Sequence, residues 1–146
     1  EPSSLSTGVD YERIEIKIPR GSRQETVTYE SASCRFRIEV AKVQDGWVNL
    51  RFVPEIHHGA QALRTVPTEQ GWSYNERKNV DPIYSQQFTL MLHKGEIALM
   101  TATNDTPGSL GYAYFIGDGN DDRMQRVVVI RLEEVRTARP RLSREG

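Results

Sequence analysis

The sequence predicts a single all-β domain: an antiparallel β-sandwich or partly closed barrel of about seven or eight strands, with one long irregular excursion. Three observations predict it. Apolar residues recur with period two in segment after segment, an Asp-Gly pair joins two such segments, and no stretch carries the 3.6-residue period of a sizeable helix.

The elements follow in order. Ile14, Ile16 and Ile18 alternate with Arg13, Glu15 and Lys17, as a strand with one wet face requires, and Pro19-Arg20-Gly21-Ser22 ends it. A short run at Val27 to Tyr29 follows. Cys34, Phe36, Ile38 and Val40 then face one way, and Arg35, Arg37 and Glu39 the other. Asp45-Gly46 is a two-residue turn signal, and beyond it Val48, Leu50 and Phe52 alternate with Asn49 and Arg51, giving a hairpin over 34–53. Pro54 is expected at a strand end or a sheet edge, because it has no N–H to donate. Residues 57–85, with Gly59, Pro67, Gly71 and Pro82, lose the period and read as the excursion, with a short helical turn near 60–64.

Alternation resumes at Phe88, Leu90 and Leu92. His93 to Glu96 makes a turn, Ile97 to Met100 a returning strand, and Asn104 to Gly108 a loop. Tyr112 to Ile116 reads as a strand ended by the acidic turn Gly117 to Asp122. The last strand, Gln125 to Val135, contains Val127-Val128-Val129-Ile130, apolar on both faces and so expected to be central in its sheet. Residues 1–10 and 136–146 are expected to be flexible tails.

The chain has 146 residues, 37% of them hydrophobic and 27% charged, which fits one domain with its own core. A net charge of −1 and a pI near 6.4 give no electrostatic case for nucleic acid, and no run of apolar residues is long enough for a membrane helix. Cys34 is the only cysteine, so an internal disulfide is excluded, and its place in an alternating strand marks it as a small core residue rather than a nucleophile. A first residue other than Met fits either the start of a mature exported form or an arbitrary boundary, which the sequence does not separate; of the possible localisations an extracytoplasmic one is weakly favoured.

The sequence shows no phosphate-cradling loop, no dinucleotide fingerprint and no paired-cysteine zinc motif. Gly108-Ser109-Leu110-Gly111 has the wrong spacing for a nucleophile elbow. Glu55, His57 and His58 hold metal-ligand chemistry, but neighbouring residues of a strand point to opposite faces, so a polar loop mouth is the expected reading. Asp118, Asn120 and Asp122 match the start of a calcium loop, and the match stops where Arg123 and Val129 replace the required Gly and Glu. No catalytic residue, metal or cofactor is therefore assigned. On the excursion, Trp72, Tyr74, Arg77 and Tyr84 are the residue types that anchor protein contacts, and they are the candidate partner-contact residues.

The order of motifs in the second half resembles the core of the secretins, outer-membrane ring proteins of bacterial secretion systems. Val48 to Ile56 is similar to the family's strand ending in Pro-Glu-hydrophobic. Phe88 to Met100, with Lys94-Gly95-Glu96, is similar to its Gly-turn hairpin, Pro107 to Phe115 to its Pro-Leu-Gly-Leu-Phe segment, and Gln125 to Val135 to its closing strand. Thr101 and Ala102 stand where the family has a Gly pair. The resemblance covers residues 47–135 and implies a reduced, soluble relative to which pore formation does not carry over.

The reading is a non-enzymatic, extracytoplasmic β domain for protein assembly or binding, its partner a protein, either another copy or a different chain, with no nucleic acid and no membrane insertion. Two alternatives stay open: a ligand-binding barrel with an apolar cavity for a small ligand, and a small hydrolase or lyase using His57, His58 or His93.

Overall fold

The computed structural model describes residues 1–68, 71–103, 106–117 and 124–135, and of residues 60–68 and 71–77 the backbone alone. The fold is all-β. Strands β1 (Ser3–Arg20), β2 (Arg23–Gln44), β3 (Trp47–Thr68) and β4 (Gly71–Pro82) form an antiparallel meander in sequence order. A 3-10 turn at Tyr84–Gln86 leads to β5 (Phe88–His93), which pairs with β3 and completes a five-stranded sheet. Strands β6 (Ile97–Met100) and β7 (Val128–Arg131) make a separate two-stranded ribbon, and helix α1 (Leu110–Phe115) lies between them in sequence. Neither sheet closes into a barrel.

The predicted hairpin is present. Gln44 pairs with Trp47 across Asp45-Gly46, and Gly46 takes the positive φ of 78° that the turn demands. Continued from that turn without interruption, the register would set Arg35 against Ile56. One extra residue on β2, between Val40 and Lys42, shifts it by one, so that Arg35 meets Glu55 and Cys34 meets Ile56. This bulge sorts the sheet into one apolar and one polar face.

Strand β3 is the axis of the sheet. Its first half pairs with β2 on one edge and β5 on the other, and β4 takes over the second edge from Glu55 onward. Pro54 therefore sits in the interior of a strand rather than at its end. Its carbonyl accepts from Ile83 N at 2.8 Å, so its missing N–H faces the junction where β5 gives way to β4 and no ladder bond is lost.

Several expectations are corrected. Residues 1–10 are no tail, since β1 starts at Ser3 and pairs with β2. The span 57–82 is no irregular excursion and has no helical turn near 60–64: the second half of β3 and β4 form an extended ribbon, with Gly59 accommodated in a bulge at φ 82°. Ile97 to Met100 does not return along β5 but pairs with β7. Residues 112–116 lie in α1 and its C-cap, because Ser109 caps the helix, its Oγ accepting from Tyr112 N at 3.1 Å and donating to Thr106 O at 2.8 Å. The run 127–130 is not central: among the described residues β7 pairs with β6 alone. The acidic turn 118–122 and the tail 136–146 fall outside the described residues.

The core is one cluster. Ile16 and Ile18 of β1, Cys34 and Phe36 of β2, Phe52 and Ile56 of β3, Ile83, and Ala113 to Ile116 of α1 and its cap are all buried within it. Met100, Val128 and Ile130 of the ribbon pack against it from the apolar side of the main sheet. Aromatic rings fill its centre: Phe52 stacks on Phe88 at 5.1 Å, and Phe36 lies 4.7 Å from Tyr114. Tyr114 OH donates to the carbonyls of Arg35 (2.7 Å) and Glu55 (2.9 Å), fastening α1 to the β2–β3 pair. Among the described residues no helix is long and apolar enough to cross a membrane.

Candidate functional site

Three surfaces merit consideration. The first is the polar face of the main sheet. Successive rows across β2 and β3 place Glu39 against Arg51, Arg37 against Val53, Arg35 against Glu55 and Ser33 against His57. Glu39 forms ion pairs with both neighbours: its Oε1 lies 3.1 Å from Arg37 Nε, out of hydrogen-bond alignment, and its Oε2 accepts from Arg51 Nη1 at 3.5 Å. Val53 is 1% exposed although it lies on the polar side, opposite Arg37. Glu55 is buried and lies 3.9 Å from His57 Nε2. Tyr84, exposed at the start of the 3-10 turn, carries the Arg37 guanidinium over its ring at 5.8 Å and accepts a 3.5 Å bond from it.

Burial holds the His57 imidazole below its usual value of 6.5; Arg35 and Lys78 push the same way, and Glu55 opposes them. The folded chain therefore takes up the proton later than the unfolded chain as pH falls. Stability is complete above 6.5 and declines as pH drops from there toward the lowered folded value. Urea unfolding at pH 7.5 and 5 is expected to show this loss in the wild type and a smaller one in His57→Gln; equal losses would refute the assignment.

The second surface is the outward side of the β6–β7 ribbon. Leu99 and Val129 are directly paired, and they are exposed at 71% and 60%, flanked by Ile97 at 58% and Val127 at 51%. One end of this strip is closed by Gln125 Nε2 donating to Thr101 Oγ1 at 3.1 Å, and the other by exposed Arg131. The ribbon is therefore apolar on both sides, with one side packed on the core and the other open.

The third is a pair of adjoining clefts beside α1. One, of 420 Å³, runs between Lys17, Gln24, Thr103, Thr106 and Ser109; the other, of 210 Å³, is walled by Phe36, Pro54, Phe88, Tyr114 and Phe115. Gln86, Leu110 and Gly111 belong to both. The apolar one falls below the roughly 300 Å³ at which small-molecule sites begin.

The candidate contact residues are placed as follows. The backbones of Trp72, Tyr74 and Arg77 lie on β4, in register with Pro67, Thr65 and Ala62, and their side chains are outside the described residues. Tyr84 is exposed and lies beside the Arg37 guanidinium. The histidines do not converge: His57 is on the polar face, His58 packs edge-on against Tyr29 at 4.9 Å, and exposed His93, paired with Glu96, lies opposite Trp47 at the far end of β3. Ser109, the serine of the near-elbow, is a helix cap. Cys34 is buried, and burial, with Asp10 adding to it, pushes its thiol up to about 12. The polar-face cluster and the open ribbon side were both missed at the sequence level. The alternation of Arg35 and Arg37 and the two-sided apolar run at 127–130 were the signals that pointed to them. Compared with known protein families, characterised proteins and solved structures, the chain matches none.

Proposed function

We propose that this chain is a non-enzymatic β domain that associates with further copies of itself, using the open side of the β6–β7 ribbon as the contact. The observation that carries this is the strip Ile97, Leu99, Val127 and Val129, at least half exposed throughout and closed by polar residues at both ends. Apolar patches with polar rims are where soluble proteins meet partners. A second copy suits the strip because an apolar sheet face is buried well against another such face about 10 Å away. The resemblance of Val48 to Ile56 and of Gln125 to Val135 to strands of the secretins, a family of assembling subunits, suits the same reading, whereas Phe88 to Met100 does not form the hairpin that the resemblance implied. An extracytoplasmic setting, which would suit such a role, belongs to the proposal.

Light scattering behind a sizing column tests it. The wild type is expected to run as a defined oligomer at micromolar concentration, and Leu99→Glu with Val129→Lys to run as a folded monomer. A second form with the β3–β4 ribbon shortened separates the two surfaces: it should keep the oligomer if β6–β7 is the contact. A wild-type monomer at every concentration overturns self-association.

A further inference from the structure

We propose that the polar face of the main sheet carries an oxyanion site, centred on Arg35, that takes a carboxylate or phosphate group between the guanidiniums of Arg35 and Arg37 and the imidazole of His57. Among the described residues, the buried side-chain nitrogen and oxygen atoms with no hydrogen-bond partner are Arg35 Nε, Arg37 Nε and His57 Nε2; Arg37 Nε has the Glu39 carboxylate 3.1 Å away and His57 Nε2 the Glu55 carboxylate at 3.9 Å, both out of hydrogen-bond alignment, and Arg35 Nε has neither. All lie on this one face, in three consecutive rows of the β2–β3 register. Polar atoms shielded from water are nearly always paired, so a group of unpaired nitrogens gathered in one place points to an acceptor that belongs there.

The charges agree. Glu39 is already held by Arg37 and Arg51, and Glu55 lies nearest to His57. Arg35 has no acidic partner within 4.0 Å among the described residues, although it is only partly exposed. Lys78, whose Nζ donates to Ser31 O at 2.9 Å, adds a further cation close enough to act on the His57 charge. A partly buried guanidinium without an ion pair is costly, and an anion that accepts from it removes the cost. The chemistry of the donors selects the ligand. Guanidiniums present a planar fork that fits the paired oxygens of a carboxylate or phosphate, and Tyr84 beneath Arg37 holds one fork in place. The face is opposite to the one that carries the β6–β7 ribbon, so the site stands or falls independently of self-association.

The test is a titration of the ¹⁵N-labelled wild-type protein with potassium phosphate, and separately with sodium acetate, at constant ionic strength in chloride. The expected result is a saturable shift of the Arg35 and Arg37 Nε–Hε signals and of the His57 ring, with Arg13 and Arg131 moving little. Saturation by phosphate alone assigns a phosphoryl ligand, and saturation by both assigns oxyanions generally; either supports the site. Arg35→Gln is expected to weaken binding at least tenfold, and Arg13→Gln to leave it unchanged. Small, linear shifts shared by all arginines mean an adventitious ion only and overturn the proposal, whether or not the Arg35 variant folds.

Discussion

Phe36→Ala is expected to lower the unfolding free energy by about 3–5 kcal/mol. Phe36 is 3% exposed and lies within ring contact of Phe52, Phe88, Tyr114 and Phe115, at 4.7 to 6.2 Å. It belongs to β2, Phe52 to β3, Phe88 to β5, and the other two to α1, so its removal weakens four elements at once. The side chain also walls the 210 Å³ cleft beside α1, and its loss opens that cleft into the core instead of leaving a sealed void that neighbours can fill. Urea unfolding measures the change: the midpoint should fall while the slope with denaturant holds. A loss below about 1 kcal/mol would mean that the aromatic cluster is not what joins α1 to the sheet.

Gly117→Ala is expected to cost about 1–3 kcal/mol through overpacking. A Cβ there would stand 2.6 Å from the Tyr11 hydroxyl and 3.0 Å from Tyr112 Cε1. The hydroxyl cannot step aside easily, because it donates to Ala113 O at 2.6 Å and to Gly117 O at 2.9 Å. Tyr11→Phe removes the clashing oxygen, so Tyr11→Phe combined with Gly117→Ala should cost less than the sum of the single changes, with a coupling of about 0.5–3 kcal/mol. Additive costs would show that the glycine is needed for another reason.

What the sequence made legible was decided locally. The 34–53 hairpin could be read because its turn and both of its alternating strands lie within one short segment. The register beyond it could not, because it depends on a single extra residue between Val40 and Lys42, and nothing in the composition of that stretch marks a bulge. Hence Arg35, Arg37 and His57 were each visible, yet their meeting on one face was not. Helix α1 was misread because Ala113, Tyr114, Phe115 and Ile116 are buried in succession, and a short, fully buried run has no period to tell helix from strand. The β3–β4 ribbon was hidden by Gly59 and Pro67, strong breakers in isolation that a backbone ladder tolerates once pairing is under way. The two-sided apolar run at 127–130 is as consistent with a ribbon that has one open face as with the centre of a sheet, and pairing decides between them.

The Tyr11 hydroxyl bonds have a consequence for how the chain comes together. Only two residues of sequence separate each of strands β1 to β4 from the next, so their pairing requires little loop closure. Tyr11, by contrast, reaches Ala113 across 102 residues and Gly117 across 106. The entropy of closing that span falls on contacts that become favourable only when the meander is already in place. The joint between β1 and α1 is thus expected to form late, and with the Lys17 N bond to Gly108 O at 2.8 Å it holds the N-terminal strand to the second half of the chain.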